Sequence, residues 1–137
     1  MSGPDFLDSN ILVYAHDDAD PTKQRVAQDL IRRAVNGEMI VSTQTLAEFS
    51  ATLLQRFSKV FSADEVIGIL DALAPIRLVV TDAGVVRRAV EAHQTYGVHF
   101  YDGMIIAAAE RGGCPRIWSE DLSAGQKYFG VIVENPF

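Results

Sequence analysis

Asp5-Phe6-Leu7-Asp8-Ser9-Asn10-Ile11-Leu12-Val13-Tyr14-Ala15 is the stretch on which the fold turns. The short polar side chains of Asp8-Ser9-Asn10 hydrogen-bond local backbone and favour a turn or helix cap, and an apolar run follows them. The stretch therefore reads as a short strand over about 5–7, a cap, and a short helix.

The same alternation continues outward. Between Thr22 and Asn36, Val26, Ala27, Leu30, Ile31 and Ala34 recur with a 3.6-residue period, bracketed by Pro21 as a start signal and Gly37 as a stop. Met39-Ile40-Val41 reads as a buried strand, and Leu46, Phe49, Leu53 and Phe57 then fall on one face of a helix. Val66, Ile67, Leu70 and Leu73 share one side of a helix over 63–73, which Pro75 ends before a strand over 77–80. Asp82 caps a further helix carrying Val86, Ala89, Val90 and His93. Met104 to Ala109 is apolar almost all round, which predicts a helix over 101–111 buried against a sheet and stopped by Gly112-Gly113. Residues 116–118 and 131–133 are the last strand candidates, with a loop and room for one helical turn between them. Strands separated by helices require crossover connections, which give a mostly parallel sheet covered on both faces. The expected fold class is α/β, a three-layer α/β/α sandwich forming a single domain over 1–137.

Composition limits the function. A chain of 137 residues, 48% apolar and 22% charged, buries roughly two thirds of its unfolded surface, which excludes intrinsic disorder and a two-domain enzyme. Twelve basic against eighteen acidic residues leave a net charge of −6, which excludes broad adhesion to nucleic acid or anionic membrane; a polyanionic substrate needs local help. Cys114 has no partner for an intrachain disulfide, and one thiol with His16, His93 and His99 does not assemble a zinc cluster. The opening residues lack a charged start followed by an apolar segment, and no apolar run nears the roughly 18 residues that cross a bilayer. A cytoplasmic protein without membrane attachment is expected.

Ligands of open parallel sheets gather beyond the carboxyl ends of the strands. Asp8 follows the first strand, and Asp121, with Glu120 beside it, follows the strand ending at Trp118. Glu48 lies in the first turns of the helix after Met39-Ile40-Val41, and Asp102 opens the buried helix, so both point toward the same edge. Each acid alone has a plain reading: Asp8 and Asp102 as caps, Glu48 as a solvated side chain, Asp121 as a turn residue. Together, four carboxylates repel one another until a divalent cation offsets them. Carboxylate oxygens without thiolate or imidazole select a hard ion, Mg²⁺ with Mn²⁺ as substitute, and such an ion suits phosphodiester hydrolysis.

The stretches Leu7 to Ala15, Gln44-Thr45-Leu46-Ala47-Glu48-Phe49, Tyr101 to Ala109, Ser119-Glu120-Asp121-Leu122 and the closing Asn135-Pro136-Phe137 resemble PIN-domain proteins. Their order and spacing are most similar to VapC-type toxins of bacterial toxin–antitoxin pairs, and the resemblance runs from Asp5 to Phe137. It implies a PIN-like fold and a Mg²⁺- or Mn²⁺-dependent endoribonuclease. It also implies a homodimer and a cognate antitoxin whose C-terminal segment blocks the acidic groove. By the same resemblance Asp8, Glu48, Asp102 and Asp121 are the catalytic, metal-binding acids, with Asn10, Ser119 and Glu120 behind them to orient ligands or water. Gly103 departs from the pattern, since such proteins commonly carry alanine there; it leaves the acids intact.

Competing readings remain at this point. A phospho-receiver module is also a small α/β domain with acids at strand ends, but it requires a lysine after a late strand that Ser119-Glu120-Asp121 does not supply. A catalytically silent PIN-fold domain that binds RNA or protein, and a DNA-directed nuclease of the same fold, both stay open. His93 reads as a core or boundary residue, His99 as a loop residue, and His16 with Asp17, Asp18 and Asp20 as a solvated loop. Cys114 reads as a small buried side chain. The arginine and lysine pairs Arg32-Arg33, Arg87-Arg88 and Lys23/Arg25 read as polar helix faces, some of them available for phosphate contacts.

Overall fold

The computed structural model describes residues 3–137; Met1 and Ser2 lie outside the described residues. The elements in chain order are β1 (Asp5–Leu7), α1 (Ser9–Ala15), α2 (Pro21–Val35), β2 (Met39–Ser42), α3 (Thr43–Gln55) and α4 (Ala63–Leu73). They continue as β3 (Arg77–Val79), α5 (Ala83–Tyr96), α6 (Phe100–Arg111), β4 (Arg116–Trp118), β5 (Lys127–Tyr128) and β6 (Val131–Glu134). One sheet takes the order β3-β2-β1-β4-β6-β5, with every neighbouring pair parallel except β5 with β6. This is the expected α/β architecture with a mostly parallel sheet.

The period of two along each strand divides the core into two layers. Phe6, Ile40, Val79, Ile117, Val131 and Val133 face α5 and α6. Leu7, Met39 and Val41 face the opposite way, into the apolar sides of α1 to α4. Met39-Ile40-Val41 is buried on both faces, as an inner parallel strand must be. Among the described residues no helix is long and apolar enough to cross a membrane.

Helix α6 is buried from Gly103 to Ala109, because it lies flat on the sheet beneath α5. Gly103, the departure noted above, has a local reason: a Cβ built on it would stand 2.8 Å from the Ala89 carbonyl oxygen of α5. The glycine lets the two helix backbones approach at Ala89.

Several expected details are corrected. On α5 the inward stripe is Val85, Ala89 and Ala92, whereas Val86 and Val90 are exposed. On α4, Ile67 is exposed and Val66 and Leu73 are buried. In both helices adjacent apolar pairs left the phase ambiguous by one residue, and packing selected the other member. Phe57 falls beyond the end of α3 at Gln55. Between β4 and β6 there is no helical turn; the chain forms the β5–β6 hairpin, closed by Phe129 and Gly130 with φ of 48° and 82°. Two positive φ values in a two-residue connection give the I′ turn that matches strand twist. His93 is exposed at the end of α5, with its Nδ1 2.8 Å from the Val98 carbonyl oxygen. His16 is not in a solvated loop: it caps α1, its Nδ1 lies 2.8 Å from the Leu12 carbonyl oxygen, and its ring packs against Phe49 and Phe61.

Candidate active site

The site begins where β1 and β4 end side by side. The Asp8 backbone N–H donates to the Trp118 carbonyl at 3.1 Å, so Asp8 and Ser119 leave adjacent strands as neighbours. Asp8 then serves as the N-cap of α1: its Oδ1 accepts from the Ser9 N–H at 2.7 Å, and its Oδ2 accepts from the Ser119 hydroxyl at 2.8 Å. Only 5% of Asp8 is exposed. Burial pushes its carboxyl from 3.8 up to about 6, the bonds from Ser119 and Ser9 oppose that shift, and the charges of Glu48 and Asp121 add to it.

Glu48 arrives from α3, whose start is fixed by a capping box between Ser42 and Thr45. Its Oε1 accepts from the Ser9 hydroxyl and its Oε2 from Gln44 Nε2, both at 3.3 Å. Gln44 Nε2 also donates to the Tyr101 carbonyl at 3.0 Å, which ties α3 to the opening of α6 beside Asp102. Asp102 is half-buried, and its carboxyl is raised by that burial, with His99 acting against the shift and Asp121 adding to it. Asp121 is exposed at the rim, where Asn10 Nδ2 donates to its Oδ2 at 3.1 Å. Ser119, fully buried, is the hub: its hydroxyl donates to Asp8 and accepts from Asn10 Nδ2 and from the backbone N–H groups of Asp121 and Leu122.

The four acids thus meet at one sheet edge, and each has another within electrostatic reach or is bridged to one through Ser9, Gln44, Asn10 or Ser119. Glu120 stands apart from them in charge. Lys23 pairs with it at 2.6 Å and Tyr14 donates a hydrogen bond to it, and together they hold its carboxyl below the usual range. Its backbone N–H donates to Asn10 Oδ1 at 3.2 Å. Lys23, read in the sequence as part of a polar helix face, is engaged there.

No cationic side chain pairs with Asp8, Glu48, Asp102 or Asp121 among the described residues. The hydrogen-bond partners of Asp8, Glu48 and Asp121 are hydroxyls, amides and backbone N–H groups, which leave the negative charge in place. The side chains as oriented do not close three ligating groups around one point among the described residues. Mg²⁺ does not require that, because it binds through one or two carboxylates and keeps several waters. The donor set, all oxygen, with a buried carboxylate and no counter-charge, fits a hard divalent cation.

Gln44 and Ser9 are the bridging residues that sequence reasoning missed. Gln44 precedes Glu48 by one helical turn, a spacing that places the two on one face, and this signal was readable. Its Oε1 is buried without a hydrogen-bond partner.

An α/β domain with an uncompensated carboxylate cleft at the carboxyl ends of its parallel strands is the class that this geometry defines. Residues 6–129 match the family model of the PIN domain, and the chain belongs to that family. No curated protein matches the sequence. Among solved structures, the fold is similar to a toxin–antitoxin complex from Klebsiella pneumoniae, at 16% identity and a TM-score of 0.69, covering 96% of this chain and 97% of that one. It is also similar to Mycobacterium tuberculosis VapC20, a Sarcin-Ricin loop cleaving toxin, at 16% identity and a TM-score of 0.66, covering 93% and 98%. DNA-bound VapBC from Salmonella typhimurium gives 14% identity and a TM-score of 0.69, covering 99% and 100%. At these identities the likeness concerns the fold.

Proposed function

We infer that this chain is a Mg²⁺- or Mn²⁺-dependent endoribonuclease that hydrolyses RNA phosphodiester bonds as the toxin of a type II toxin–antitoxin pair, working as a homodimer silenced by a cognate antitoxin. The toxin assignment draws on the neighbours above, which are toxins and toxin–antitoxin complexes. The catalytic assignment is carried by one observation: Asp8, the most buried of four converging acids, is offset by no cationic side chain and has its carboxyl raised to about 6.

Asp8, Glu48, Asp102 and Asp121 would hold the cation. When bound, it supplies charge stabilisation at a phosphoryl oxygen and an acidified water. The remaining work belongs to the chain. Ser119 and Ser9 fix the Asp8 oxygens, Gln44 fixes Glu48 against the start of α6, and Asn10 aims Asp121 at the cleft. These bonds set the carboxylates before substrate arrives, so little reorganisation accompanies the reaction. The substrate's charge is drawn to the loaded site rather than to the acidic surface as a whole.

The test is incubation of a mixed RNA pool with the purified chain and Mg²⁺, Mn²⁺ or chelator. Cleavage with either ion and none with chelator is expected. Intact RNA under all conditions, or cleavage that chelator does not stop, overturns the reading.

A further inference from the structure

The cleft beside the acids holds one basic group that the sequence reading passed over. Its walls include Ser9 and Asn10 of α1, Asp17 beyond it, Glu120 and Asp121 after β4, Thr52 in the last turn of α3 and Arg56 at the C-cap of that helix. Glu48, Thr52 and Arg56 are spaced by four residues and so lie along one helix face; the Thr52 hydroxyl donates to the Glu48 carbonyl at 2.9 Å. The other nearby cation, Lys23, is engaged by Glu120. Arg56 makes no ion pair among the described residues, and its guanidinium rests 5.0 Å from the Phe57 ring centroid. The guanidinium shares the cleft wall with the carboxylates of Asp17, Glu120 and Asp121 but forms an ion pair with none of them among the described residues. It is available to an anion entering from outside.

We propose that Arg56 forms a phosphate-binding subsite for the RNA strand, gripping a backbone phosphate a few nucleotides from the one presented to the acids. This rests on the ribonuclease reading above. Eight residues of helix separate Glu48 from Arg56, about 12 Å along the axis, and a stacked strand rises about 3.4 Å per nucleotide. The gripped phosphate therefore lies about three to four nucleotides from the scissile one. A chain of net charge −6 needs such a local cation to seat a polyanion, and a guanidinium suits phosphate through its paired donors. The contact is with backbone alone, so it adds affinity without choosing sequence.

The test uses the full chain carrying Asp8→Asn and Asp102→Asn, which keeps the shape and removes two of the charges a cation would offset, so that RNA stays intact. Binding of a fluorescent single-stranded RNA of mixed sequence is measured by anisotropy over a series of KCl concentrations. Adding Arg56→Gln weakens binding and makes the slope of log K against log salt shallower by about 0.7, the value of one single-strand phosphate contact; Arg56→Lys keeps the slope. In the otherwise native chain, Arg56→Gln leaves Mn²⁺ affinity unchanged. An unaltered slope and affinity in Arg56→Gln overturn the subsite while leaving the nuclease reading in place. Loss of Mn²⁺ affinity in that variant overturns it too, because Arg56 would then act through the fold. Failure of the Asp8→Asn, Asp102→Asn chain to bind any RNA, together with no cleavage by the native chain, removes both.

Discussion

The two ends of the parallel strands handle carboxylates in opposite ways. At the amino ends, Asp5 and Glu38 share a cleft with Arg33, Arg77 and Arg116; Glu38 pairs with Arg33 at 3.3 Å and Asp5 accepts from the Trp118 indole at 3.0 Å. At the carboxyl ends, Asp8, Glu48, Asp102 and Asp121 meet without a cationic partner among the described residues, and the side-chain partners of Asp8, Glu48 and Asp121 are hydroxyls and amides. The same residue types neutralise one another at one edge and accumulate charge at the other. What marks the site is the missing counter-charge, because acidic residues by themselves occur at both edges. Burial sharpens the contrast, since it raises Asp8 and Asp102 while the amino-end pairs stay half open to water.

If the carboxyl end is the working edge, removing its charge should be costly for activity. Asp8→Asn or Asp102→Asn lowers RNA cleavage by at least about 100-fold, since even outer partners of metal ligands cost 10- to 100-fold. Initial rates in Mg²⁺ check this against Glu38→Gln at the amino end, which keeps the native rate. The same edge should be the less stable one without metal. The unfolded chain holds Asp8 near 3.8 and the native chain near 6, so the native state takes up the extra proton between those values. Stability from this group is then full below about pH 4 and lost as pH rises through 6. Asp8→Asn therefore stabilises the metal-free protein near neutral pH by up to about 3 kcal/mol, less whatever the Ser119 hydroxyl loses in its acceptor. Urea denaturation in chelator across that range reads the effect, and a variant less stable than native at neutral pH contradicts it.

A smaller effect separates packing from charge. Gly103→Ala forces a methyl against the Ala89 carbonyl and lowers stability by about 1–3 kcal/mol, measured by denaturation, although alanine is the better helix former. At the amino end, Arg33→Gln or Glu38→Gln shifts stability by no more than about 1 kcal/mol, because an exposed pair is worth little.

The fold was legible because its strands and helices alternate with strong punctuation: Asp8, Pro21, Asp82 and Gly112 stand where caps and stops were expected. The convergence of Asp8, Glu48, Asp102 and Asp121 followed from one topological rule applied to a parallel sheet. The phase of α4 and α5 was not legible, because Val66-Ile67 and Val85-Val86 offer equivalent apolar residues side by side and only the sheet beneath decides. The β5 strand was hidden because its I′ turn uses Phe129-Gly130 instead of the Asn-Gly or Asp-Gly pair that signals such a hairpin. Gly103 looked like a blemish in a helix until Ala89 stood against it. Arg56 was missed because its role depends on Lys23 being engaged by Glu120 across 97 residues of chain, a pairing that no local pattern records.

The central claim is that the carboxyl-end acids form one cation site. Mn²⁺ titration of the native chain and of Asp8→Asn, Asp102→Asn and Glu38→Gln, followed by electron paramagnetic resonance of the free ion, tests it without RNA. The account predicts saturable binding that either carboxyl-end substitution abolishes and Glu38→Gln leaves intact. Equal Mn²⁺ uptake by all four proteins, or none by the native chain, would contradict it.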